Sequence, residues 1–346
     1  MPDLRACALV SRSWVDRAQS HIFWKIDIGH LNCLEILWER LQRTLETSPH
    51  LIRYIRRLRI GLDEQTPLSV LSRICNFAFT HLECVRTHIW GNLILQTALS
   101  FQRLFGLPTL RYVKLIVTRT PDSGSFPNIF ERCSPAVRQL HLHFSGDLPP
   151  SLPGIPRYHA RAPIRLVSLG IKTSGSLNPQ LLPTLHPFSL SHLKALSISS
   201  LSGIAWDELA PIMGTIEILS IIVQRSHTGL DLSAFPRLSV LCIEPVVGLD
   251  DSIQANIIET IVSTIMPASK VHTVVVPIFD ILPNFCDVLD TTLSQLPLPT
   301  VDVQVRYAEL VDEASACFPR LSAASRVRTC LLPRNFDWWE DITSRL

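Results

Sequence analysis

The chain has 346 residues, which at about 150 residues per domain suggests roughly two domains; 47% of them are hydrophobic, 18% charged and 7% aromatic, with a mean hydropathy of +0.24. Disorder is excluded, because it needs low hydrophobicity and high net charge. The charged share lies below the roughly 25% of ordinary soluble domains, and 25 prolines interrupt the apolar runs.

A membrane-spanning helix needs about 18 or more consecutive apolar residues. The longest charge-free stretches are 87–102, which is studded with polar residues, and 173–193, which is broken by Pro179, Pro183 and Pro187. No membrane partner is expected. The N-terminus has no apolar core of a signal peptide. Nine cysteines without a C-x-x-C read as free thiols of a reducing compartment, cytoplasmic or nuclear. Residues 1–120 carry 16 Lys+Arg against 9 Asp+Glu, net +7, and residues 121–346 carry 16 against 21, net −5, which together give the +2 of the whole chain.

In chain order, residues 3–28 read as a helical pair. Leu4, Leu9, Val10 and Trp14 share one apolar face, and Ala18, Ile22, Phe23 and Trp24 the next. A second helix follows before Pro49, with Leu31, Leu34, Leu37, Trp38, Leu41 and Leu45 on its apolar side. Trp38 is expected in the core.

From residue 55 onward one pattern recurs: apolar, two variable, apolar, one variable, apolar. It appears at Ile55/Leu58/Ile60, Leu82/Val85/Thr87, Leu110/Val113/Leu115 and Val137/Leu140/Leu142. The fifth copy is either Ile164/Val167/Leu169 or, shifted by two, Leu166/Leu169/Ile171. Leu193/Leu196/Ile198, Ile216/Leu219/Ile221 and Leu238/Leu241/Ile243 continue it, and weaker copies follow at Val271/Val274/Val276, Val301/Val303/Val305 and Val327/Cys330/Leu332. The first middle positions, 58, 85, 113 and 140, lie 27 or 28 residues apart, and such spacing falls in the 20–29 window of leucine-rich repeats. Between the copies, residues 68–79 show a helical face, and Asp250 caps a helix that carries Ile253, Ile257, Ile258, Ile261, Val262 and Ile265. A doubly wound sheet would give similar strands, but its nucleotide-binding turns are absent. The chain therefore resembles a divergent leucine-rich-repeat protein, although Asp63, Thr118, Ser145 and Val246 stand where the family usually has Asn or Cys. The fold expected is α/β: an irregular leucine-rich-repeat solenoid of about 10–11 strand/helix repeats with an N-terminal helical cap. Residues 1–28, 29–50 and 51–346 form its three segments.

Asp3-Leu4, the string Ala8-Leu9-Val10-Ser11-Arg12-Ser13-Trp14, and Phe23-Trp24 resemble the C-terminal half of an F-box, especially in fungal F-box-like proteins with divergent repeats. The family's opening Leu-Pro segment and first helix have no counterpart before Asp3. The resemblance implies a substrate adaptor of a cullin–RING (SCF-type) ubiquitin ligase. Leu4, Leu9, Val10 and Trp14 would bind the ligase's linker subunit, and the repeats would hold a protein substrate. The other reading is a repeat scaffold with no ligase connection.

No motif for nucleotide, zinc or nucleophilic chemistry occurs, so no enzyme, cofactor or metal is expected. His141 and His143 share one strand face without a third ligand nearby in sequence. Asp250-Asp251 read as helix capping, and Phe336–Trp339 as an apolar cap over the last repeat. Outward strand positions form the expected concave face. It is basic first, at Arg57, Arg59, Arg86, Tyr112, Lys114 and His141, and then small and apolar, at Ala195, Ser197, Ser220, Val240 and Cys242. An acidic protein segment suits the basic end. Nucleic acid is disfavoured, because Tyr112 is the only interleaved aromatic.

Overall fold

The computed structural model describes residues 12–28, 34–63, 66, 68–90, 95–118, 129–145, 163–173, 187–199, 206–223, 230–246, 249–265, 269–278, 281–296, 299–305, 307–331, 339 and 343. The chain is mixed α/β. Among the described residues twelve longer strands are parallel, and the chain divides into two compact units, Met1–Leu166 with Thr173–Ser189 and Val167–Lys172 with Leu190–Leu346. Among the described residues no helix is long and apolar enough to cross a membrane.

The first unit runs α1 (Arg12–Phe23), β1 (Lys25–Ile28), α2 (Leu34–Thr47), a 3-10 turn (Pro49–Tyr54), β2 (Arg57–Leu62), α3 (Leu68–Cys75), β3 (Cys84–Ile89), α4 (Leu95–Phe105), β4 (Tyr112–Val117) and β5 (Gln139–Phe144). A short parallel pair, Ile164–Arg165 with Phe188–Ser189, also belongs to it. Leu58, Val85, Val113 and Leu140, the middle positions of the sequence pattern, are partners in one register row and are buried. Each strand enters through a shared acceptor: Glu83 and Cys84 N–H both donate to Arg56 O, Arg111 and Tyr112 to Glu83 O, and Arg138 and Gln139 to Arg111 O. At the exits Thr118 N–H donates to Ile89 O and Ser145 N–H to Val117 O. α3 buries Leu71, Ile74 and Cys75, the face that its sequence marks. Beyond it Phe101, Phe105 and Phe130 stack with centroids 5.6 and 5.7 Å apart. Gly106 ends α4 where a Cβ would meet Arg132 O at 3.0 Å.

One element departs from the helical reading of 3–28. Lys25–Ile28 is a strand, with Ile26 beside Leu58 and Ile28 beside Ile60. Lys-Ile-Asp-Ile alternates with period two and follows a helix that stops at Phe23, so it adds an edge strand. α2 follows as expected, with Trp38 and Leu45 fully buried; Leu31 lies outside the described residues.

The second unit contains β6 (Ser168–Thr173), β7 (Ala195–Ile198), α5 (Trp206–Met213), β8 (Ile218–Ile222), β9 (Val240–Glu244), α6 (Asp251–Val262), β10 (Thr273–Ile278), α7 (Pro283–Ser294), β11 (Thr300–Val305), α8 (Val311–Ala316), α9 (Pro319–Ala323) and β12 (Val327–Leu331). Leu169, Leu196, Leu219, Leu241, Val274, Val301 and Val327 form its central row. The shifted form of the fifth copy, Leu166/Leu169/Ile171, is therefore the one adopted. The last two copies are corrected: Val301, not Val303, partners Val274, and Val327, not Cys330, follows it. A Val-x-Val-x-Val strand looks the same after a slip of two residues, so its sequence leaves that register open. Cys330 sits on the opposite face and is exposed.

Asp250 caps α6, as the sequence suggests, by accepting from Ser252 N and Ile253 N at 3.0 and 3.2 Å. Asp251 caps the next helix instead, accepting from Asn284 N and Phe285 N at 2.8 and 2.9 Å. The cap expected over the last repeat is placed differently. Trp339 is 2% exposed and packs against Ala195, Ile218, Cys242 and Val275 on β7–β10. Those side chains leave room for an indole, whereas β12 presents Arg328 and an exposed Cys330. Phe336, Asp337 and Trp338 lie outside the described residues.

Candidate protein-interaction face

The outward positions of β2–β5 collect the basic residues. Arg59, Arg86, Lys114 and His141 are register partners in one row, with Asp27 of β1 at its end. Arg57, Cys84, Tyr112 and Gln139 form the neighbouring row. Adjacent strands lie about 4.8 Å apart, so Arg59 to Lys114 spans roughly 10 Å of backbone. Arg57, Arg59, Arg86 and Lys114 are all partly accessible.

Neighbours fix these cations. Arg59 Nη1 lies 3.4 Å from Asp27 Oδ2. The Arg57 guanidinium stands 4.5 Å from the Trp24 ring centre and that of Arg86 5.8 Å from the Tyr112 ring. Such contacts hold a flexible side chain over an aromatic face. Two expected members are less accessible than the sequence reading places them. Tyr112 is 5% and His141 2% exposed, so they floor the face rather than present themselves on it.

Sequence reasoning passed over His88. It occupies the third outward row, beside Gly61 and Ile116, and stacks on Trp90 with centroids 4.0 Å apart. Burial lowers its pKa first, and the charges of Arg59 and Lys114 lower it further. A neutral imidazole thus sits between two cations. Carrying the outward alternation one position further along β3 would have found it.

At the N-terminal side, Trp14 on α1 is 52% exposed; Leu4, Leu9 and Val10 lie outside the described residues. Asp16 ties α1 to the 3-10 turn, accepting from Tyr54 Oη at 2.5 Å and from Arg53 Nη2 at 2.9 Å. The Tyr54 hydroxyl and the Arg53 charge hold the Asp16 carboxyl below its ordinary pKa. A surface pocket of about 460 Å³ opens here, lined by Ser20, His21, Trp24, Arg53, Tyr54 and Arg56. Arg53 and Arg56 are already paired, with Asp16 and Glu83.

Among the described residues no group of three His, Cys, Asp or Glu is placed to hold a metal. His141 and His143 share a face of β5 as the alternation requires. No protein-family model matches the chain, and no curated protein sequence does.

Proposed function

We propose that the chain is a protein-interaction module, an irregular leucine-rich-repeat solenoid with an N-terminal helical cap, and that it recruits a protein substrate to a cullin–RING (SCF-type) ubiquitin ligase. The observation that carries the interaction role is the in-register basic row Arg59–Arg86–Lys114 with Arg57 beside it. Arginine forks match carboxylates with two parallel hydrogen bonds, so the occupant of this face is an acidic segment of a partner protein. The ligase role rests on the F-box-like string and on Trp14, a large apolar side chain left half in solvent on α1. A buried tryptophan is a common anchor of protein interfaces.

The test is co-purification of the full chain with the ligase's linker subunit. Binding at micromolar affinity that Trp14→Ala removes supports the adaptor. Binding that ignores Trp14→Ala, or no binding, leaves a repeat scaffold without a ligase connection. That second reading is favoured by the Asp16 contacts with Arg53 and Tyr54, which dock α1 as a cap on the first unit. Capture of an acidic partner segment is tested separately. Arg57→Glu with Arg59→Glu weakens it about tenfold or more at low salt, and the loss shrinks as salt screens it.

A further inference from the structure

The segment that follows α8 is fastened to α7 by polar contacts. Asp290 Oδ2 and Oδ1 accept the Arg320 and Leu321 N–H at 3.0 and 2.9 Å. Arg320 Nη1 lies 3.4 Å from Asp287 Oδ1 and also donates to Thr291 Oγ1. Arg326 Nη2 donates to Leu293 O at 2.9 Å. These bonds fix where residues 317–326 meet the helix.

Cys286 stands four residues before Asp290, one turn away on the same face of α7. Cys317 stands three residues before Arg320. The fastening therefore brings their thiols together, and the Cys286 S–H donates to Cys317 Sγ. Neither is in a disulfide. Cys286 is fully buried, whereas Cys317 is half-buried and partly open to solvent. An S–S bond needs the two sulfurs at about 2.05 Å, so rotation of side chains already in contact brings them most of the way.

We propose that Cys286 and Cys317 form a reversible dithiol–disulfide pair, oxidised by glutathione disulfide, that joins α7 to the start of α9. Cys317 gives its proton to water, and its thiolate attacks one sulfur of glutathione disulfide. That forms a mixed disulfide on Cys317 and releases one glutathione thiolate, which takes up a proton. The Cys286 sulfur then attacks Cys317 Sγ, and its proton leaves with the second glutathione. Two protein thiols and one glutathione disulfide thus become one protein disulfide and two glutathiones. The order of attack follows from exposure and acidity. Burial raises both thiols, but the Cys286 S–H pulls Cys317 back down. The same contact and the Asp251 charge push Cys286 further up.

The test treats reduced, full-length chain with glutathione disulfide under native conditions. Samples are quenched with acid, blocked with N-ethylmaleimide and digested, and linked peptides are identified by mass spectrometry. The exposed Cys330 takes up glutathione in the same sample and shows that the oxidant acted. The expected product is a peptide pair joined through Cys286 and Cys317. It forms at least about tenfold faster than any other cysteine pair, because its second step is intramolecular and prepositioned. Urea removes that advantage, and excess reduced glutathione restores both thiols. Cys286→Ser leaves glutathione trapped on Cys317. Cys317→Ser leaves Cys286 as unreactive as the buried Cys75 and Cys133. The main result needs only the natural chain, so it stands even where a variant fails to fold. Glutathione on Cys330 without a Cys286–Cys317 link would overturn the proposal. So would a link that forms as fast in urea as in native buffer, or one that excess reduced glutathione fails to open. A link whose rate rises with chain concentration would join two copies, which also overturns it.

Discussion

Asp290 and Leu321 belong to different helices, yet Asp290 Oδ1 accepts the Leu321 N–H at 2.9 Å while Oδ2 accepts that of Arg320 at 3.0 Å. The carboxylate on α7 thereby caps α9. Asp251 on α6 does the same for α7. A fully buried acid with two backbone donors is a stability element. Asp290→Ala is expected to cost about 2–4 kcal/mol in urea unfolding, since it removes a cap and leaves two amides unsatisfied. Asp290→Asn keeps one acceptor oxygen and costs roughly half as much.

Trp38 tests the seat of α2. Its side chain is fully buried, but its Nε1–H has no hydrogen-bond partner. Trp38→Ala is expected to lose about 3–5 kcal/mol by opening a cavity. Trp38→Phe removes the orphaned donor together with some volume, so the two effects oppose each other and the cost stays near 1–2 kcal/mol. A phenylalanine variant as unstable as the alanine one would show that the N–H is satisfied in solution.

The repeating rows were readable in the sequence because burial repeats. Leu58, Val85, Val113 and Leu140 each stand at the centre of a tight apolar pattern and become register partners. The basic row was readable for the same reason, since Arg59, Arg86 and Lys114 alternate with those buried residues. Where the pattern loosened into plain alternation, at 301–305, the register slipped by two. Lys25–Ile28 escaped because its alternation runs over only four residues, too few to set it apart from the helix before it. The seat of Trp339 could not be read at all. It depends on apolar side chains from β7–β10 meeting a residue far along the chain, which no local spacing encodes. Asp251 and Asp290 stayed hidden for a related reason: their partners are backbone amides of another helix, about thirty residues on.

Lys172 and Glu244 give a third test. Lys172 Nζ lies 2.8 Å from Glu244 Oε2, and the two side chains are only 19% and 16% exposed. A pair so sheltered costs more to break than a surface pair, because the survivor keeps its desolvation without its partner. Lys172→Met is expected to lose about 1–3 kcal/mol. Adding Glu244→Leu recovers most of it, which a double-mutant cycle in urea measures as a favourable coupling. Additive losses would mean that the pair contributes nothing in solution.

The buried thiols predict how stability depends on alkaline pH. Burial raises the Cys75 and Cys133 thiols from 9.0 to about 12, and it pushes Cys286 and Cys242 upward as well. In the unfolded chain these groups lose their protons near 9, whereas the folded chain keeps them. Between pH 9 and about 12 the unfolded state therefore binds fewer protons, and stability falls as pH rises, by up to about 1.4 kcal/mol per pH unit for each thiol. Below pH 9 their contribution is fully present and flat. Other groups also titrate in this range, so the decisive comparison is between the natural chain and Cys75→Ala. The alanine variant is expected to lose less stability between pH 8.5 and 10.5, by about 2 kcal/mol, than the natural chain does. Parallel profiles for the two would mean that Cys75 titrates as freely in the folded protein as in the unfolded one.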